Sequence, residues 1–255
     1  MSIDACAALV EKGDPERFRA AMAAPVTTRR ILFPLYAFNI EVARAPWVTE
    51  EPMIAEMRLQ WWRDALEEVG SGATVRKHEV VDALADVLDP EGAACLDGLV
   101  AARRWDIYKD AFEDQTHFND YLNATSGHLL WTAARLLGQA DQAVVRDFAY
   151  AVGVAKLLLA VPELEERGRK PLLDGTVKGV KTLAQSAHAR LEAARNGRKS
   201  VSKQASAAMV AGFAARPVLQ KAMTNPNLVA AGTLSLPPFA QSRRLLAVSL
   251  RGWWA

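Results

Sequence analysis

Hydrophobic residues recur along most of the chain with helical spacing, and runs of β-branched residues are short. Helix starts are well marked, as at Asp14-Pro15-Glu16, where a capping aspartate precedes a proline at the first helical position. Nothing resembles strands alternating with helices, so the pattern predicts an all-α fold. The longer predicted helices span 31–45, about 52–70, 78–88, 92–112, 117–138, 141–160, 178–196, 200–223 and 237–252.

The predicted connections divide these helices into a few recognisable units. Pro46 ends the helix at 31–45, and the next helix begins near Glu51-Pro52, so the two are predicted to form a hairpin. Two stretches are predicted loops: Pro162 to Gly179, which contains three glycines and two prolines, and the basic segment 195–199.

Composition narrows the class of protein further. With 255 residues, of which 51% are hydrophobic, the chain can bury one large core, and we predict a single domain over 1–255. The net charge of +2 is too close to balance to predict a nucleic-acid partner. The only cysteines, Cys6 and Cys95, provide neither a disulfide framework nor a zinc cluster. The first residues lack the basic character of a secretory signal and no apolar run reaches the ~18 residues of a membrane span, so a cytoplasmic location is expected.

Three segments, in this order, resemble the squalene and phytoene synthase family. Their order and spacing carry the resemblance, which covers most of the chain, and it implies an isoprenoid synthase-like helical bundle around a central cavity. The segments are Leu-Phe-Pro-Leu-Tyr-Ala-Phe-Asn-Ile-Glu at 32–41 with Trp-Trp-Arg-Asp-Ala-Leu at 61–66, Tyr-Leu-Asn-Ala-Thr-Ser-Gly at 121–127 with Leu-Leu-Gly at 136–138, and Gly-Val-Ala at 153–155 with Arg-Gly-Arg at 167–169.

The resemblance also implies metal chemistry that this sequence does not support. Working members of the family join two prenyl diphosphates, and two Asp-x-x-x-Asp motifs hold magnesium against the leaving diphosphate. In this chain the first motif would fall within 42–47, where Ala43, Arg44 and Trp47 stand, and the second would place Ala160 and Leu164 at the aspartate positions. We therefore expect no catalytic residues and no cofactor, with magnesium relevant only if the protein is an enzyme.

Two segments near the missing aspartates point to one branch of the family. Segments 37–41 and 57–63 resemble the branch of the family that contains the mitochondrial complex I assembly factor, whose members also lack the aspartates. Aromatic residues such as Phe38 and Trp62 are expected in the core, whereas the polar ones form either a buried cluster or a ligand site. The candidate cavity or ligand residues are Tyr36, Asn39, Glu41, Arg58, Trp62, Tyr121 and Glu163.

An acidic segment at 105–114 offers a different metal site. Asp106, Asp110 and Asp114 follow each other at four-residue spacing and would share one face of a helix, so Asp106 and Asp110 are candidate ligands. The aromatic residues of this segment account for a buried stripe, and we favour a solvated acidic surface over a metal site.

The last part of the sequence is basic and amphipathic. Arginines and tryptophans at 243–255 suit either a helix docked on the core or a peripheral contact with an anionic membrane, and docking is favoured. Basic residues also cluster at Lys178, Lys181, Arg190, Arg195, Arg198, Lys199 and Lys203.

These features favour a non-catalytic protein with a binding or assembly role. The resemblance implies a protein partner in respiratory complex assembly, with a location possible at the inner membrane. One alternative is a prenyl transferase acting on isoprenoid diphosphates with displaced metal ligands, such as Asp106 with Asp110, or Glu163. The other alternative is a protein that binds an isoprenoid lipid in the cavity without changing it.

Overall fold

Helices make up nearly all the regular structure of the computed structural model, which describes residues 2–255. Within these residues there is no β-strand, and one isolated bridge joins Ala140 and Val201. The predicted all-α fold is confirmed. The helices are α1 Ser2–Gly13, α2 Pro15–Ala23, α3 Arg29–Arg44, α4 Pro52–Ser71, α5 Glu79–Ala85, α6 Pro90–Arg103, α7 Trp105–Tyr108, α8 Gln115–Leu122, α9 His128–Leu137, α10 Gln142–Glu166, α11 Val177–Asn196, α12 Ser206–Met209, α13 Ala215–Thr224, α14 Asn227–Ala230 and α15 Pro238–Arg251.

Helix α3 lies at the centre of the fold. Every residue from 31 to 40 is buried, so this helix contacts neighbours on all sides, as expected of a helix that is apolar around its whole circumference. It packs against α1, α5 and α9 and contacts α4. The ring of Phe38 meets the ring of Trp62 on α4 edge to face, with 5.4 Å between the centroids, so the predicted pairing of these two helices is present.

A π-helical turn joins α8 to α9. Residues 123–127 form this turn, so the helix predicted at 117–138 is nearly continuous. Thr125 Oγ1 donates to the carbonyl of Tyr121 at 2.7 Å, and Ser126 Oγ donates to the carbonyl of Ala149 on α10 at 2.8 Å. π-Turns of this kind often lie at functional sites, and this one faces the cavity described below.

Three predicted helix boundaries differ from the structure. The helix predicted at 92–112 ends at Arg103; after α7, Lys109 adopts the left-handed conformation with φ of 59°, which stops the helix. Helix α10 continues through Pro162 to Glu166, so the expected loop 162–179 is shortened to 167–176. The helix predicted at 200–223 is broken into short helical pieces that include α12 and α13.

Candidate functional site

A cavity of about 310 Å³ opens between α2, α3, the α6–α8 segment and α10. Its volume is at the lower end of the ~300–1,000 Å³ that ligand pockets span. Trp105, Phe112, Leu122 and Leu157 supply apolar wall, and Thr125 and Ser126 of the π-turn add hydroxyl groups. Five basic and two acidic side chains complete the lining: Arg17, Arg103, Lys156, Arg169, Lys170, Asp14 and Asp106.

The positions at which the family resemblance places aspartates face this cavity. Ala43 and Trp47 line one side, at the end of α3 and in the 3₁₀ turn that follows it. Ala160 and Leu164 line another side, one helical turn apart on α10. The fold therefore keeps the geometry that would present two pairs of side chains to one cavity, but all four side chains lack a metal-binding oxygen.

Trp47 contacts cations instead. The guanidinium carbon of Arg169 lies 4.3 Å from the centroid of the indole ring, and that of Arg167 lies 5.0 Å away. Cation–π contacts contribute about 0.5–2 kcal/mol each, depending on how far the cation is desolvated. The ring therefore helps to hold the buried positive charge of Arg169 in the cavity wall.

Asp106 is the centre of a buried polar cluster. Tyr121 Oη donates to Asp106 Oδ1 at 2.9 Å, Arg103 Nη1 donates to Asp106 Oδ2 at 3.0 Å, and Arg169 Nη1 lies 3.8 Å from Oδ1. Burial and then the charge of Asp106 raise the pKa of Tyr121, although Arg103 opposes the shift. Burial also lowers the pKa of Arg169. The hydroxyl of Tyr121 therefore stays protonated, and Asp106 is bound by positive partners.

Asp14 is the centre of a second cluster and also caps α2. Its carboxylate accepts from the backbone N–H of Arg17 at 3.0 Å and from Lys156 Nζ at 3.0 Å. Burial disfavours the charged carboxylate, but Arg17 and Lys156 outweigh it and lower the pKa of Asp14 to about 2. Burial and Arg17 lower the pKa of Lys156. The predicted capping role of Asp14 is confirmed, and the structure adds a long-range contact to α10.

The residues of this cavity do not fit magnesium. Its two carboxylates, Asp14 and Asp106, are each bound by two cationic side chains, and each of their oxygens already accepts a hydrogen bond. A divalent cation would also meet the fixed charge of Arg169. Across residues 2–255, no group of three or more His, Cys, Asp or Glu side chains is arranged to hold a metal.

The structure separates the candidate residues named from the sequence. Asn39 and Tyr121 line the cavity, whereas Tyr36 is buried and is not part of the lining. The guanidinium carbon of Arg17 lies 5.4 Å from the centroid of the Tyr36 ring. Trp62 is 5% exposed and belongs to the core. Three others lie away from the cavity lining: Glu41, which pairs with Arg44, Arg58, which is exposed on α4, and Glu163, which pairs with Arg167 on the surface.

The acidic segment behaves differently from its sequence interpretation. Asp106, Asp110 and Asp114 do not share a helical face, because α7 ends at Tyr108 and Asp114 is the N-cap of α8. Asp110 is exposed, whereas Asp106 is only 6% exposed. The predicted solvated acidic surface is therefore wrong for Asp106.

Several cavity residues escaped the sequence analysis. Lys156 interrupts a buried apolar stretch of α10, and a lone charge in such a stretch is the signal that could have singled it out. Arg103, Trp105 and Arg169 each have a buried side-chain N–H that finds no hydrogen-bond partner within the described part of the chain, an arrangement that sequence spacing does not reveal. All three line the cavity.

The sequence was compared with models of known protein families. Residues 10–173 match the sequence profile described as Squalene/phytoene synthase. The chain belongs to the squalene and phytoene synthase family. The matched residues include both cavity-facing pairs, Ala43 with Trp47 and Ala160 with Leu164. The positions without aspartate therefore lie inside the part of the chain that matches the family.

Relatives and a solved structure add to this assignment. A Drosophila melanogaster protein named NADH dehydrogenase (ubiquinone) complex I, assembly factor 6 homolog, is 32% identical over 168 residues, or 62% of this chain and 50% of the relative. The Homo sapiens complex I assembly factor 6 is 25% identical over 162 residues, or 62% of this chain and 48% of the relative. The chain thus spans about half the length of the curated relatives it matches.

A crystal structure of a dehydrosqualene synthase in complex with ligand superimposes with a TM-score of 0.81. The superposition covers 98% of this chain and 96% of that chain at 16% sequence identity. At this identity the likeness concerns the fold, and it confirms the predicted isoprenoid synthase-like helical bundle.

Proposed function

We propose that this chain is a non-catalytic member of the squalene and phytoene synthase family that acts in the assembly of respiratory complex I. The observation that carries the proposal is the character of the cavity: Ala43, Trp47, Ala160 and Leu164 occupy the positions where the family resemblance places metal-binding aspartates. The names of the relatives supply the assembly role, and the protein partner would be a component or precursor of that complex.

The charges of the cavity support the proposed lack of catalysis. A leaving diphosphate carries several negative charges, and a low-dielectric site must provide fixed or metal-bound positive charge as the bond breaks. Four of the five bases in the cavity pair with its acids: Arg103 and Arg169 with Asp106, and Arg17 and Lys156 with Asp14. Among the described residues this leaves Lys170 as the one cavity base without an acidic partner. Without carboxylates free to hold metal ions, the cavity supports binding better than ionisation.

The assembly role is tested in the organism that carries the gene. Deleting the gene is expected to lower the amount of fully assembled complex I, measured by native electrophoresis and by NADH oxidation in membranes, and the intact gene restores both. A Glu163→Gln gene is expected to restore both equally well, because this exposed side chain lies outside the cavity lining and, among residues 2–255, pairs with Arg167 alone at 2.6 Å. An unchanged level of complex I in the deletion strain contradicts the assembly role.

A second candidate function is the binding of an isoprenoid lipid in the cavity. The apolar walls suit a prenyl chain, and the unpartnered N–H groups of Arg103, Trp105 and Arg169 suit an oxygen-bearing head group. This function needs no carboxylate pair.

Cavity binding is tested by calorimetry with farnesol and farnesyl diphosphate in the absence of divalent cations. Ala160→Trp is expected to fill the cavity and weaken binding at least about tenfold, whereas Ala189→Trp, at an exposed position of α11, is the matched control and is expected to leave binding unchanged. Equal affinities for the two variants, or no binding by the wild-type chain, would exclude this cavity as a lipid site.

A further inference from the structure

The outer face of α15 carries large apolar side chains that the fold leaves exposed. Phe239, Leu246 and Leu250 are 78%, 59% and 77% exposed, and they are among the most exposed apolar side chains of the described residues. On an ideal helix these three positions and Arg243 fall within about 60° of each other, over a length of about 17 Å. They form one stripe, which we call the outer stripe.

The opposite face of the same helix attaches it to the core. Val248 is 1% exposed, Leu245 packs against the core, and Gln241 Oε1 accepts from Arg19 of α2 at 2.5 Å. Arg244 Nε donates to the carbonyl of Phe213 at 3.0 Å. The helix is therefore fixed through one face, and the outer stripe is presented as a rigid, preformed surface.

The terminal tryptophans belong to the docked side. Trp253 is 4% exposed, and its ring packs edge to face on Phe148 with centroids 4.9 Å apart. The carbonyl of Trp254 accepts from Arg195 Nε at 2.5 Å. The docking role favoured from the sequence is thus present, and a membrane contact would have to use the outer stripe instead of these rings.

Within the described residues, the two grooves that border the outer stripe are lined by basic side chains and by no acidic ones. Residues 193–255 contain nine arginines and lysines and no aspartate or glutamate, although the whole chain is nearly neutral at +2. Arg243 lies within the stripe, and Arg251 lines a groove with Leu250 and the exposed Lys199 and Lys203. In the described part of the chain, none of these four side chains forms an ion pair with a carboxylate.

We propose that the outer stripe of α15 is a membrane-contact surface for anionic lipid, with Phe239, Leu246 and Leu250 entering the interface and the surrounding arginines and lysines contacting head-group phosphates. An amphipathic helix that lies in the membrane plane combines exposed apolar residues with flanking basic residues in this way. Charge complementarity selects an anionic surface over a second copy of this positively charged face, which would repel itself. The three large apolar side chains, in line and exposed among bases, favour lipid as that surface, because they can enter the acyl boundary while the bases contact phosphates. This contact does not depend on the assembly role.

Vesicle sedimentation tests the proposal with the full chain. Binding is compared on vesicles of phosphatidylcholine alone and of phosphatidylcholine with phosphatidylglycerol, at low and at high salt. The wild-type chain is expected to bind only the anionic vesicles and to be released by salt, because the Debye length shrinks from about 10 Å at 0.1 M to about 3 Å at 1 M.

Matched variants distinguish binding through the outer stripe from nonspecific binding through any exposed apolar side chain and from the effect of net charge. Phe239→Ser with Leu250→Ser is expected to lower the partition constant about tenfold or more, and Arg243→Gln with Arg251→Gln about fivefold for each charge removed. The control for apolar exposure is Met53→Ser with Met57→Ser, since these α4 side chains are 74% and 66% exposed. The control for charge is Lys12→Gln with Lys77→Gln, two exposed lysines elsewhere in the chain.

Each outcome decides the proposal. Loss of binding in the stripe variants alone, with helicity unchanged by circular dichroism, supports it. Failure of the wild-type chain to bind anionic vesicles overturns it, as does an equal loss in the control variants. Sedimentation velocity adds a further test: a dimer that dissociates on Phe239→Ser with Leu250→Ser would identify the stripe as a contact between copies and would likewise overturn the proposal.

Discussion

At the scale of residues, each of the two cavity carboxylates is held by cationic side chains. Asp14 is bound by Arg17 and Lys156, and Asp106 is bound by Arg103 and Arg169. A carboxylate in this state stabilises the neighbouring cations, and a metal ion would have to displace them to bind it. Both acids of the cavity are therefore paired, and the stability of each cluster depends on the acid and on its basic partners.

Acid stability should depend on Asp14. Because its pKa in the folded state is about 2 and its ordinary value is 3.8, the unfolded chain binds more protons between these values. Its contribution is therefore present above pH 4 and is lost as the pH falls toward 2. Asp14→Asn is expected to lower the free energy of unfolding at pH 7 by about 2 kcal/mol and to flatten its slope between pH 4 and 2, measured by urea denaturation at each pH.

Asp89 provides the matched control for this prediction. Asp89 also caps a helix, and a hydrogen bond from the Arg135 side chain is the main cause that lowers its pKa to about 2. Its side chain, however, is 44% exposed. Solvent screens an exposed pair, so Asp89→Asn should cost less than Asp14→Asn at pH 7. An equal or larger loss for Asp89→Asn would contradict the importance assigned to burial at Asp14.

Trp62 is expected to be a major contributor to stability. It is 5% exposed and packs edge to face on both Phe38 and Trp61. Trp62→Ala should lower the free energy of unfolding by about 3–5 kcal/mol, because it empties a large buried site. Met57→Ala on the same helix, at a 66% exposed position, should change it by less than about 0.5 kcal/mol. Chemical denaturation of both variants decides the matter, and comparable losses would contradict a specific core role for Trp62.

At the scale of elements, the contact between α10 and the π-turn defines one wall of the cavity. A Cβ added at Gly153 would lie 3.0 Å from Ser126 Cβ and 3.3 Å from Leu122 Cδ2. Ser126 Cβ is attached directly to the backbone and cannot rotate away. The absence of a side chain at Gly153 therefore lets the π-turn approach α10 closely enough for Ser126 to bond the carbonyl of Ala149.

Gly153→Ala is expected to destabilise the protein by about 1–2 kcal/mol, since the cost of overpacking exceeds the gain in helix propensity. Ser126→Gly removes the opposing Cβ. The loss in free energy of unfolding of the double variant should therefore be smaller than the sum of the losses of the two single variants. The measurement is a double-mutant cycle by thermal and chemical denaturation. Strict additivity would mean that the two residues do not limit the approach of the helices.

The sequence predicts elements well where packing is uniform and poorly where single residues redirect the chain. Helix α3 was predictable because its apolar residues are continuous and Pro46 follows. The end of α7 was not, because the residue in the left-handed conformation is Lys109, and the sequence has no glycine there to signal the turn. The same turn hid the role of Asp106: a continuous helix would have placed it with Asp110 and Asp114, whereas the observed turn buries it against Tyr121.

At the scale of the molecule, charge is divided between two regions with different chemistry. The cavity contains five basic and two acidic side chains in an apolar wall, and both acids are paired with bases, whereas residues 193–255 contain bases without acids. No helix within the described residues is both long and apolar enough to cross a bilayer. The outer stripe of α15 and the cavity lie on different elements, so changes to one can be tested without altering the other.

The purified chain is expected to form no squalene, phytoene or cyclopropyl intermediate from farnesyl or geranylgeranyl diphosphate with magnesium. Ionisation of these substrates requires metal ions on the leaving group, and Ala43, Trp47, Ala160 and Leu164 provide no oxygen ligand where the family resemblance places them. Magnesium and a chelator should accordingly give the same melting temperature, which tests metal binding separately from turnover. An active synthase assayed in parallel establishes that substrate and metal are competent. Magnesium-dependent product from the purified chain would contradict this expectation and would show that other residues supply the metal ligands. The carboxylates of the cavity are Asp14 and Asp106, which would then have to leave their cationic partners to bind the metal. In that case Asp14→Asn and Asp106→Asn would abolish the activity.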